Sequence, residues 1–360
     1  MRILFCNQNF ALGGVERRLS QLIYGLSQQG GYELYCLVFD ETKVYPILNK
    51  TNLKIFKIPE GGRKTKLNFI DSVIKDIKPD IVHCWNLEMA FLCAITKFRK
   101  NYGFKLISGT ITTAYKYPKN KATFYIEKFT FKQSDVIVSN SLAGIVVKNA
   151  PRKKCRVIYN GFDYQRLSNL RDPGSIRMEL GINTPYIITK AARVNEQKDI
   201  KTFIDVAKVI NDKRADTTFV LVGDGTHLNY YKEYARSQNI TNLLFTGLRK
   251  DVENIMNAST ICMQCSKHPE GLSNSIMEAC AIGRPVVATD SGGTKEIIEE
   301  GKNGFILGNG DVYGLSEKVS YLLDNPDLIS RMGEYSKQVI NERFLLDTMV
   351  HNYIDLYKTI

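Results

Sequence analysis

The sequence predicts an α/β fold built from two doubly wound, Rossmann-like domains that face a central cleft. Three observations predict it. The chain has 360 residues, more than one hydrophobic core normally spans. Short apolar runs alternate with helical patterns along almost its whole length, which is how a parallel sheet covered by helices on both faces reads. The alternation lapses once, in a mixed stretch near 164–184 containing Asp172-Pro173-Gly174, and then resumes. That stretch reads as a linker. The N-terminal domain is therefore placed at 1–165 and the C-terminal domain at 166–343. A last amphipathic segment, 344–360, is placed to pack back on the first domain.

In the first half, strands are expected at 2–6, 33–39, 54–58, 80–84, 105–108, 135–139 and 156–159. Helices fall between them near 15–28, 66–77, 88–98, 121–133 and 141–149. In the second half, strands are expected at 186–189, 218–222, 243–245, 260–263, 285–288 and 305–307. Helices are expected near 199–212, 226–238, 251–257, 274–282, 294–299, 311–323, 326–342 and 344–358.

Composition excludes several classes. No apolar run approaches the roughly 18 residues of a membrane span. The N-terminal apolar run is short and ends at Asn7, Gln8 and Asn9, so it reads as a strand and not as a signal peptide. Most of the eight cysteines sit in apolar runs, the pattern of reduced core thiols in a cytosolic protein. Cys262 and Cys265 form a C-x-x-C without a second pair at metal-binding spacing, so they are not read as a metal or redox site.

Charge is divided unequally. Residues 1–165 carry 26 Lys and Arg against 12 Asp and Glu, a net of +14, whereas residues 166–360 carry 23 against 25, a net of −2. Within the first half, 115–132 mixes Tyr115, Lys116, Tyr117, Lys119, Lys121, Phe124, Tyr125, Lys128, Phe129, Phe131 and Lys132. Basic and aromatic residues at helical spacing suit an anionic bilayer surface. A solvated basic face with inward aromatics is the plainer alternative. Arg63-Lys64-x-Lys66 and Arg152-Lys153-Lys154 add to the positive field, and no nucleic-acid motif accompanies it.

Candidate ligand residues lie where strands end. Gly13-Gly14 separates the first strand from the first helix, a place where a ligand can approach the backbone, although the G-x-G-x-x-G fingerprint is absent. Arg193, Glu196 and Lys198 follow the first strand of the second half. Val222-Gly223-Asp224-Gly225 and Thr246-Gly247-Leu248 end the next two. The richest stretch runs from Pro269 to Pro285. Glu270 precedes Gly271, a residue that permits φ > 0 or a close approach. Ser273 or Asn274 is placed to start a helix that Gly283 closes. Free amides at such a helix start suit a diphosphate. Glu270 and Glu278 flank that position and suit hydroxyl groups on either side of it.

As an ordered set these residues resemble the retaining glycosyltransferases of family 4, of GT-B fold, most strongly over 192–304. Glu270 and Glu278 match the family's E-x7-E motif. Arg193 with Lys198, Gly223-Asp224-Gly225, Gly283-x-Pro285, Gly292-Gly293, Gly13-Gly14-x-Glu16 and Asn160-Gly161-x-Asp163 match around them. The resemblance implies that Arg193 and Lys198 hold the donor's diphosphate and that Glu270 bonds the donor sugar. It implies that Glu278 bonds the ribose, that amides near Gly271, Leu272 and Ser273 hold phosphates, and that Leu248 touches the base. Gly223 falls in the same donor-binding set, and Gly13 and Gly14 let the first domain close on the diphosphate. It further implies no metal and no cofactor, the nucleotide sugar being a substrate. The family's histidine near the donor sugar has no counterpart in Ser108-Gly109-Thr110-Ile111-Thr112, and His83 is read as structural.

The expected activity is hexosyl transfer from a nucleotide sugar, with UDP favoured, to a lipid-linked or polysaccharide acceptor, as in cell-surface glycan synthesis. The expected place is the cytoplasm, peripheral on the inner face of the membrane through the basic N-terminal domain. Alternatives are a nucleotide-sugar epimerase of the same fold and an inactive regulatory subunit.

Overall fold

The computed structural model describes the chain except Leu12, Lys43, Val44 and residues 116–120. Lys116, Tyr117 and Lys119 of the basic–aromatic stretch therefore lie outside the described residues. The chain divides into two compact units, Met1–Gly161 with Leu346–Ile360, and Phe162–Leu345.

The first unit runs β1 (Arg2–Cys6), α1 (Gly14–Gln29), β2 (Glu33–Val38), β3 (Lys54–Lys57), α2 (Arg63–Ile77), β4 (Ile81–Cys84), α3 (Leu87–Lys100) and β5 (Lys105–Ile111). It continues with α4 (Lys121–Gln133), β6 (Val136–Ser139), α5 (Leu142–Lys148) and β7 (Cys155–Val157). Its seven strands are ordered β3-β2-β1-β4-β5-β6-β7 and pair in parallel. Strand residues Ile3 to Cys6 are all fully buried because helices cover both faces, which is why the strand is apolar without alternation.

The second unit runs α6 (Pro173–Glu179), β8 (Tyr186–Ala191), α7 (Ile200–Asn211), β9 (Thr217–Val222), α8 (Leu228–Ser237), β10 (Leu243–Gly247) and α9 (Val252–Ala258). Then come β11 (Ile261–Gln264), α10 (Asn274–Ile282), β12 (Val286–Thr289), α11 (Thr294–Ile297), β13 (Gly304–Leu307), α12 (Val312–Leu323) and α13 (Pro326–Arg343). Its six parallel strands are ordered β10-β9-β8-β11-β12-β13. The last helix, α14 (Leu346–Thr359), returns to the first unit. There Tyr353 and Tyr357 are buried in the core beside α1, with Leu22 and Ile23.

The stretch near 164–184 is not a linker. It belongs to the second unit and begins with a 3₁₀ turn over Tyr164–Leu167. Asp172-Pro173-Gly174 starts a helix instead of breaking one. The Asp172 carboxylate accepts from the Ser175 amide at 2.8 Å, and proline occupies the first helical position, where no amide is needed. Ile176 then buries completely. The segment is too short for periodicity to reveal its buried side.

Candidate functional site

In each sheet the strand order reverses beside the unit's first strand, with β1 between β2 and β4 and β8 between β9 and β11. Loops leaving adjacent carboxyl ends there diverge to opposite faces, and open α/β sheets take ligands in the crevice this leaves. In the second unit these are the loops after β8 and β11.

The loop after β8 carries Arg193 and Lys198. Asn195 caps its short 3₁₀ turn, accepting from the Lys198 amide at 3.3 Å. Asp199, at φ +43°, caps α7. These turns bring Lys198 Nζ to 2.8 Å from Glu270 Oε2, in the loop after β11. Gln264 Nε2 lies 3.4 Å from Glu270 Oε1, and the Glu270 carbonyl accepts from the Gly293 amide at 3.1 Å. Side chains of the pair keep 25% and 22% of their exposure, so a ligand reaches both groups. Arg193 is exposed and has no ion pair among the described residues. The pair can therefore offer a carboxylate to hydroxyls and an ammonium to anionic oxygens.

Beneath this pair lies a lysine that sequence reasoning missed. Lys190 of β8 is fully buried and donates to the Cys265 carbonyl at 2.8 Å. Burial pushes its ammonium below the ordinary lysine value. The expected strand stops at 189, one residue short of it, whereas the sheet register places Lys190 within the strand, where a buried charge needs a partner.

Helix α10 begins where expected, with Ser273 as its N-cap and Gly283 closing it at φ +87°. The Ser273 side chain makes no cap bond, so that hydroxyl does not compete for the first amides. Ser275 Oγ donates to the Ala191 carbonyl at 2.9 Å and ties the helix start to the end of β8. Gly271 does not take a positive φ. Leu272 and Ser273 are buried, each 5% exposed.

Glu278 has a different neighbour from Glu270. Its Oε1 accepts from Arg166 Nη2 at 2.7 Å, and the same nitrogen contacts Glu253. The guanidinium lies over the Phe162 ring, 5.1 Å from its centroid. Neither Arg166 nor Glu253 was singled out from the sequence. Arg166 sits in the misread linker, 112 positions from Glu278, and no local pattern joins them.

The glycines divide by cause. Gly223 has φ +141°, and a Cβ there would stand 1.9 Å from the Ala192 carbonyl oxygen. Its identity is thus set by backbone packing between β8 and β9. Leu248, just past Gly247, is 68% exposed. In the first unit, Gly13 is extended and is the N-cap of α1, with no side-chain cap. The Tyr45 hydroxyl accepts from the Gly13 amide at 3.1 Å and donates to its carbonyl at 2.8 Å. Gly14 is the first residue of the helix.

The first unit has its own cavity at the carboxyl edge, of about 410 Å³, between the starts of α2 and α3 and helix α4. Leu87, Phe91, Leu92 and Ile126 form apolar walls, with Arg63 and Lys66 at the rim. Lys66 pairs with Glu88 at 2.8 Å. Nearby, α4 buries Thr130 and Phe131 while Phe124 and Tyr125 stand 59% and 64% exposed. His83 is buried, with Nδ1 2.7 Å from the Tyr357 hydroxyl, and burial followed by the Arg18 charge pulls its imidazole well below the usual value.

Two family models match the chain in sequence order. The one for glycosyltransferase family 4 covers residues 12–166, and the one for glycosyl transferases group 1 covers 174–339. Among curated relatives, N-acetyl-alpha-D-glucosaminyl L-malate synthase of Bacillus anthracis is 28% identical over 238 residues, 64% of this chain and 61% of that protein. The putative glycosyltransferase EpsD of Bacillus subtilis is 22% identical over 92% of this chain and 90% of its own. The crystal structure of Anabaena HepE in complex with UDP superposes with a TM-score of 0.88 at 20% identity, covering 100% of both chains. No helix among the described residues is long and apolar enough to cross a membrane.

Proposed function

Since the chain is an enzyme of the group 1 glycosyltransferases, with a GT-B fold and a first domain of the family 4 kind, we propose that it is a retaining, metal-independent hexosyltransferase. Its donor is a UDP-sugar, and its acceptor is a lipid-linked or polysaccharide glycan presented at the inner face of the cytoplasmic membrane. The observation that carries the reading is the Lys198–Glu270 pair, 2.8 Å apart beside the start of α10 and at the reversal point of the second sheet.

In this scheme Glu270 exchanges Lys198 for the donor sugar's hydroxyls. The freed lysine and Arg193 neutralise the diphosphate, joined by the first amides of α10. Cations and helix amides placed where charge develops do the work of leaving-group stabilisation. Glu278, steadied by Arg166, receives the ribose. Complexes of the structural neighbour HepE with UDP and with UDP-glucose support the donor class. The apolar cavity rimmed by Arg63 and Lys66 takes part of the acceptor, and the exposed Phe124 and Tyr125 with the basic face of α4 rest on anionic lipid.

Glu270→Ala tests the reading. Turnover with nucleotide sugar should fall by about 100-fold or more, the scale of losing one preorganised polar group at the reacting centre. Unchanged turnover would overturn the assignment. Labelled donor incubated without acceptor should stay unepimerised.

A further inference from the structure

The core of the first unit holds a cluster of thiols that sugar transfer does not use. We propose that Cys6, Cys84 and Cys93 form a three-sulfur site for a soft, thiophilic metal cation. Cys6 and Cys84 are register partners on β1 and β4, at the carboxyl ends of the two strands. Cys93 comes from α3, which packs over them. The three Sγ atoms lie within 4.8 Å of one another, and Cys6 and Cys93 are 3.8 Å apart. Three sulfurs each about 2.3 Å from one central ion stand about 4.0 Å apart in a plane. The empty triangle thus closes on an ion with shifts smaller than an ångström.

Buried cysteines often serve as small apolar residues, and that explanation covers Cys36, Cys262 and Cys280. It does not account for a convergence of three. This is the only group of three candidate metal-ligating side chains among the described residues, and Cys262 and Cys265 are not in it. Two of the sulfurs ride on adjacent hydrogen-bonded strands, which fixes their separation before any ion arrives.

The surroundings determine the class of ion. All three cysteines are fully buried, among Leu4, Val82, Met89 and Leu92. The cluster that encloses them is apolar, and an apolar enclosure favours a filled site without net charge. A divalent ion held by two thiolates and one thiol meets that condition, M²⁺ + 3 RSH → M(SR)₂(HSR) + 2 H⁺. Apolar walls supply neither water nor carboxylate as a further ligand, so sulfur-preferring ions are favoured over magnesium or calcium. Access requires local opening of α3.

The probe is Cd²⁺, added to the full-length, reduced protein without oxygen and followed by thiolate-to-cadmium charge-transfer absorption. One equivalent should saturate the band, release protons and raise the melting temperature. Cys93→Ala should weaken binding by more than the roughly 10–100-fold that loss of an outer-shell partner costs. The Cys262→Ala/Cys265→Ala double variant should bind as the wild type does. Cys93→Ser, closer in size, replaces Cys93→Ala should circular dichroism show that variant unfolded. Absence of the band in wild type, its survival without Cys93, or its loss in the double variant each overturns the proposal.

Discussion

The two sheets share a strand order about their reversal points but furnish those points differently. In the second unit the carboxyl edge is charged and partly exposed, with Lys198–Glu270 and Arg166–Glu253–Glu278 in separate clusters. In the first unit the equivalent ground holds a glycine turn, buried aromatics and thiols, and an apolar cavity with a basic rim. A parallel sheet supplies a place for a ligand, and the loops decide its chemistry. The second unit's edge offers a carboxylate beside a cation. The first unit's edge offers apolar walls with two basic side chains among the lining.

Substitutions should separate the two edges by what they damage. The largest effect is the fall of about 100-fold or more in turnover for Glu270→Ala, with little change in stability because the pair is partly exposed. Thermal melting alongside the assay checks both halves of that statement.

Next in size is Gly223→Ala. The added methyl would meet the Ala192 carbonyl oxygen at a backbone angle that disfavours a side chain. Unfolding should become easier by about 2–3 kcal/mol, measurable by urea denaturation.

Arg166→Met should cost about 2 kcal/mol, below the range for a fully buried pair because Arg166 keeps a quarter of its exposure. Its signature is non-additivity. Without the guanidinium the Glu253 and Glu278 carboxylates lose the cation they share, so adding Glu253→Gln to Arg166→Met should recover part of the loss in urea denaturation. A double variant that loses the sum of the two single effects would contradict the shared-arginine arrangement.

In the first unit, charge reversal at Lys121, Lys128 or Lys132 should weaken binding to anionic vesicles by about 1 kcal/mol each, with a loss in salt. Cosedimentation at two ionic strengths reads this, and equal binding to neutral vesicles would count against a membrane role. The smallest stability effect belongs to Gly13→Ala. Its backbone is extended, and only the flexible Glu16 carboxylate stands in the way. Stability should move by no more than about 0.5 kcal/mol, while the Michaelis constant for donor rises as the approach to α1 narrows.

The same contrast explains what was legible in the sequence. Buried parallel strands and their helices announce themselves through apolar runs and periodicity, and the elements lie within a few residues of expectation. The Glu270 loop was legible because its glycine, acid and helix start are contiguous. Arg166 was not, because Asp172-Pro173-Gly174 reads as a break and its partners lie far along the chain. The Cys6–Cys84–Cys93 group is invisible for the same reason: strand register and helix packing create it, and no spacing rule spans those positions. Gly223 was legible as important, but its cause, a clash with a neighbouring carbonyl, needs the folded backbone.

The most direct test of the central claim compares UDP with UDP-sugars by calorimetric titration of wild type and Glu270→Gln. If Glu270 holds the sugar and Lys198 with Arg193 the diphosphate, wild type should prefer one UDP-sugar to UDP. Glu270→Gln should bind UDP normally and lose that preference. Failure of wild type to bind any nucleotide, or an unchanged preference in Glu270→Gln, would contradict the account.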